Sequence, residues 1–132
     1  LVVGQPVLVT FLTALTGLVL VLDADRRIVW ASQDFLKFVK VPVESAVLGR
    51  RPGEALGCVH SGDSPLGCGA SEACYLCGAV DSILESKRQD MRVTRTGNLE
   101  VEWPEGRRFL DLEVSASPWI LEERPFTILT IR

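Results

Sequence analysis

The chain has no large excess of charge of either sign, no apolar run long enough to cross a bilayer, no internal repeat and only one histidine. A formal net charge of −3 over 132 residues excludes a general attraction to nucleic acid or to anionic lipid, so neither is an expected partner. The longest apolar stretch, Pro6 to Leu22, is shorter than the roughly 20 residues a membrane helix needs, and it is broken by Thr10, Thr13, Thr16 and Gly17. It also lacks the basic flank and small-residue cleavage site of a secretory signal, so no direct membrane insertion is expected. That leaves a reducing, cytoplasmic setting as the default, where clustered cysteines more often bind metal or do redox chemistry than form structural bridges. Apolar residues at 47% and charged ones at 23% exclude the disordered and fibrous classes and suit one domain over residues 1–132. Opening on Leu1 and stopping inside a strand pattern at Ile131 and Arg132, the chain reads as a piece of a longer protein.

What is there is concentrated. All four cysteines, Cys58, Cys68, Cys74 and Cys77, fall in one stretch together with His60, the single histidine. Glycines Gly57, Gly62, Gly67 and Gly69 lie within or beside it, so the backbone there can fold tightly.

Along the chain, Pro6 with Val7, Leu8, Phe11, Leu12 and Leu15 predicts a helix within residues 1–16. Leu18 to Leu22 and Arg27 to Ala31 predict a hairpin about a turn at Asp23 to Arg26. A short helix over Gln33 to Val39 is stopped by Val41-Pro42, and Glu44 to Leu48 suggests one more helical turn closed by Gly49. Ser71 is a candidate N-cap for a helix running to about Ser86, which would set Cys74 and Cys77 on one face, so that residues 58–77 hold a loop and the start of that helix. After Lys87-Arg88 the period changes to two. Strands are predicted over Met91–Thr94, Leu99–Trp103, Phe109–Trp119 and Phe126–Ile131, with turns at Thr96-Gly97-Asn98, Pro104-Glu105-Gly106 and Glu122 to Pro125. The order implies an α+β fold with one antiparallel sheet and helices on one face.

Three stretches carry a family resemblance: LVLVLDADRRIVWAS from Leu18, VLGRRPGE from Val47, and the closing RFLDLEVSASP and FTILTIR. With them the chain resembles a PAS domain, the sensory module of bacterial histidine kinases and other regulators, in a cysteine-rich variety. The resemblance implies a PAS-like five-stranded antiparallel sheet, a cavity between sheet and helices that can take a small molecule, a homodimer formed partly through the N-terminal helix, and a C-terminal effector such as a kinase. It implies a sensor of a two-component system and no catalysis. Two features depart from the family: Ser32 stands where asparagine is frequent, and the segment before the last three strands is usually poor in cysteine.

Four soft thiolates at Cys-x9-Cys-x5-Cys-x2-Cys spacing are enough to surround Zn²⁺ or an iron-sulfur cluster, with His60 as an alternative ligand. The spacing is neither that of a zinc ribbon nor that of a ferredoxin. A thiol switch is the second reading, because Cys74 and Cys77 at a helix start would have depressed pKa values. Plain structural cysteines, or a lid over a ligand cavity, are the third. A thiol oxidoreductase using Cys74 and Cys77 lacks the thioredoxin order of elements around the motif. Trp30, Trp103 and Trp119 read as core or sheet-face aromatics, and Asp23 and Asp25 as turn residues.

Overall fold

A computed structural model describes residue 7 and residues 17–59 and 78–132. Apart from Val7, the helix expected over residues 1–16 lies outside them, as do His60, Cys68, Cys74, Cys77 and the Ser71 cap.

Five strands form one antiparallel sheet: β1 (Leu18–Leu22), β2 (Ile28–Ala31), β3 (Val93–Trp103), β4 (Gly106–Leu121) and β5 (Arg124–Ile131). Their spatial order is β2-β1-β5-β4-β3, so the first and last strands meet at the centre, with Leu18 opposite Ile131 and Leu22 opposite Thr127. Between β2 and β3 run α1 (Gln33–Phe38), a 3-10 turn (Glu44–Ala46), α2 (Pro52–Leu56) and α3, described over Gly78–Gln89.

Alternation along the strands builds a two-faced sheet. One face gives Leu20, Leu22, Val101, Val114, Ala116, Leu129 and Ile131 to a core closed by Phe35 and Leu36 of α1, Leu56 of α2 and Ile83 of α3. All three helices therefore pack on the same face, as the pattern predicted. The other face carries a second apolar cluster of Val19, Val21, Trp30 and Phe126, flanked by Trp119 and Ile128. The run that starts at Pro6 thus ends in a central strand, and among the described residues no helix is long and apolar enough to cross a membrane.

The hairpin β1-β2 turns where the sequence placed it. The Asp23 carboxylate accepts the amides of Asp25 and Arg27 at 2.9 Å each, so the acidic residue closes the loop through its own side chain. At the start of α1, Ser32 caps the helix by accepting the Phe35 amide at 3.2 Å. Its hydroxyl also accepts the Val19 amide at 3.1 Å and donates to the Gly17 carbonyl at 2.8 Å. One buried hydroxyl thereby ties the helix start to the entry of β1. Ser32→Ala leaves three backbone groups short of a partner and is expected to cost about 2 kcal/mol, read as a lower urea midpoint with an unchanged slope.

The turn predicted at Thr96-Gly97-Asn98 is not there. Residues 93–103 form one continuous strand, paired with β4 from Val93 opposite Ala116 to Trp103 opposite Gly106. Glycine is needed at position 97 because a helix backbone lies against it. A Cβ on Gly97 would come within 2.9 Å of the Gly78 nitrogen, and one on Gly78 within 2.8 Å of the Thr96 carbonyl oxygen. The predicted turns at Pro104-Glu105 and at Glu122-Glu123 are real hairpin ends, the second with both residues at positive φ.

Candidate sensor site

Cys58 follows α2 directly, and the local chemistry of that helix decides where the thiol stands. Pro52 occupies the first turn, where its missing N–H costs nothing. Gly57 ends the helix in the left-handed conformation at φ 83°, and the Cys58 amide donates back to the Gly53 carbonyl at 2.8 Å. Glycine is required at 57 twice over, because a Cβ there would also meet the Trp103 indole at 3.2 Å. The indole N–H of Trp103 donates to the Leu56 carbonyl at 2.7 Å, and Phe38 meets the ring edge-on at 5.6 Å. Trp103 is thus the core aromatic that the sequence suggested, with its polar end on the end of α2.

From Gly57 the backbone joins the outer edge of β3. The Glu102 amide donates to the Gly57 carbonyl at 2.9 Å, the Val59 amide donates to the Glu100 carbonyl at 3.0 Å, and Cys58 lies opposite Val101 in an isolated antiparallel bridge. An edge strand that would otherwise show bare hydrogen-bonding groups is covered there. The far end of the cysteine-rich segment returns to the same strand. Gly78, the residue after Cys77, sits on the Thr96–Gly97 peptide, and Arg95 of β3 reaches Asp81 of α3 at 2.9 Å. Val101 and Gly97 are four residues apart on β3, or about 13 Å at strand rise. Both ends of the segment are therefore held on one strand, a short distance apart.

Of the proposed ligands, Cys58 alone falls within the described residues, and it is half-buried. Among the described residues no group of three or more histidine, cysteine, aspartate or glutamate side chains is arranged to hold a metal ion. The opposite edge, β2, is covered in the same manner. The Gly49 and Arg50 backbone exchanges hydrogen bonds with Ile28. In the 3-10 turn beside them, Glu44 has a carboxylate oxygen that is buried without a hydrogen-bond partner, and burial raises its pKa against the opposing pull of the Ala31 backbone.

Between sheet and helices one polar group stands out. Thr127 is fully buried and its hydroxyl has no hydrogen-bond partner. It shares its strand face with Leu129 and Ile131, so it points into the helix-covered core. Ser82 and Ser86 of α3 are equally buried but bond to carbonyls of their own helix. The sequence reading missed Thr127 and the Gly78–Gly97 contact. A threonine in the apolar run Phe126 to Ile131, on the side of the leucines, was the available signal for the first.

No family profile matches the chain, and no curated protein matches it by sequence. Solved structures do. The PAS domain of nitrogen regulation protein NR(II) from Vibrio parahaemolyticus superposes with a TM-score of 0.65 at 14% identity, covering 93% of this chain and 94% of that one. A PAS domain from a two-component sensor histidine kinase does so at 0.60 and 12% identity, over 98% and 96%. VqmA of Vibrio cholerae, seen in a complex with ligand and DNA, gives 0.63 at 14% identity, with this chain covering half of it. The chain has the PAS fold.

Proposed function

We propose that this is a non-catalytic sensory domain of a signal-transduction protein, in which Cys58, Cys68, Cys74 and Cys77 hold a metal or iron-sulfur centre and report redox or metal status. The observation that carries the reading is the fastening of the cysteine-rich segment to β3 at both ends, by the Cys58–Val101 bridge and by the Gly78–Gly97 contact. A segment with four thiolates and anchored ends has a lower entropic cost to close around a centre than a free loop of the same length. Such a centre would supply soft-ligand metal binding or one-electron chemistry, with His60 as an alternative ligand. Oxidation or loss of the centre would shift the packing of α3 on β3, and from there the sheet that ends in β5. The similarity to a PAS domain from a two-component sensor histidine kinase supports a C-terminal effector such as a kinase; with it the domain is taken as a homodimer in a reducing, cytoplasmic setting.

Thr127 favours a second reading. A buried hydroxyl without a partner is where a small molecule or water held in the core would bond, with the cysteines then serving as a thiol switch or a structural lid. Anaerobic purification followed by metal and sulfide analysis and an absorption spectrum separates the two. Iron with sulfide and broad visible absorption, lost in Cys77→Ser, supports a cluster sensor, and stoichiometric zinc without colour supports a zinc centre. Metal-free protein with four titratable thiols overturns the metal reading and leaves the second, in which the cysteine variants keep any ligand bound in the core.

A further inference from the structure

Away from the cysteines, cations gather at one end of the sheet. The Lys87 ammonium of α3 donates to the Ala24 carbonyl at 3.0 Å, and Arg51, just before α2, donates through Nε to the Asp25 carbonyl at 3.0 Å. Arg27 donates to the Gly49 carbonyl at 2.8 Å. With Arg26, four cations from three parts of the chain gather at one short turn, in a chain whose net charge is −3. The acids within the turn are Asp23 and Asp25, and Asp23 is engaged by the amides of Asp25 and Arg27.

Two observations mark the cluster as incomplete. The Nε of Arg26 is shut off from water and has no acceptor, although buried donors are nearly always paired. Among the described residues, the ion pairs include neither Arg26 nor Lys87. Arg26 also holds the turn at φ 63°, where glycine would be at ease. Burial, and then the Arg26 charge, lower the Lys87 pKa against the opposing pull of Asp23 and Asp25. Like charges brought near one another are an arrangement that a bound anion relieves.

We propose that the Asp23–Arg27 turn is an oxyanion site, where Arg26, Arg51 and Lys87 receive a phosphate-type dianion. Guanidinium groups match the tetrahedral oxygens by forked hydrogen bonds, and the lysine adds a point charge. The site is independent of the cysteine reading, being built from residues the centre does not use.

The test is a titration of the ¹⁵N-labelled chain with sodium phosphate at constant ionic strength, sodium chloride being exchanged for it. Saturable amide shifts are expected at residues 24–27, 49–51 and 87, with apparent affinity at least tenfold weaker in Lys87→Gln and in Arg26→Gly. Glycine suits the positive φ at 26, so Arg26→Gly keeps the fold while removing the guanidinium, and an unchanged far-UV spectrum verifies this. Shifts that stay linear with phosphate, or equal affinity in the two variants and the parent chain, would overturn the proposal.

Discussion

Replacing Phe35 by alanine is expected to remove about 3–5 kcal/mol of stability, a fifth or more of the roughly 5–15 kcal/mol a domain usually has. The side chain is fully buried beneath the centre of the sheet, in one cluster with Leu20, Leu22, Leu129 and Ile131. The four named residues of that cluster belong to β1 and β5, which are clamped together along five residue pairs, so the hole cannot collapse cheaply. Urea unfolding followed by tryptophan fluorescence reads the loss. Phe35→Leu, which keeps most of the volume, should cost no more than about 1.5 kcal/mol. Equal losses in the two variants would mean that the ring's shape, rather than the filled volume, holds α1 on the sheet.

The second large effect has a diagnostic sign. Alanine in place of glycine normally stabilises a helix by about 1 kcal/mol and favours a strand by a similar amount. Here both substitutions should destabilise. Gly97→Ala forces a carbon to within 2.9 Å of the Gly78 nitrogen, and Gly78→Ala forces one to within 2.8 Å of the Thr96 carbonyl oxygen, and both obstacles are backbone. Overpacking of this kind costs about 2 kcal/mol. The two variants act on the same contact, so the double substitution should cost less than their sum. A gain in stability from either substitution would show that α3 does not lie against β3 at this point, and would remove the second anchor of the cysteine-rich segment.

The same pair of glycines shows where sequence reading succeeds and where it stops. The β1-β2 hairpin and the clean alternation of Phe109 to Ser117 were legible because side-chain period and turn chemistry are local properties. Gly97 was not, because Thr-Gly-Asn is a good turn by composition and only the approach of a distant helix reveals a strand. The helix from Gln33 was legible, but Ser32 was read only as a departure from the asparagine frequent there, and not as the three-way clamp it becomes when Gly17 and Val19 arrive from the preceding strand. Of the candidate centre, the sequence showed the thiols and their spacing, while the two attachments to β3 depend on which strand forms the free edge.

The adjacency of β1 and β5 has a consequence for how the domain comes into being. The central strand of the sheet is the last made, Arg124–Ile131, and it is the longer partner of Leu18–Leu22, so roughly a hundred residues must emerge before the middle of the sheet can close. During synthesis the early hairpin exposes Val19, Val21 and Trp30 on one side and Leu20 and Leu22 on the other, with β5 still unmade. Folding is therefore a late event, completed when the last strand slides between β1 and β4, and a ribosome paused before Arg124 would hold a chain with an open, sticky middle.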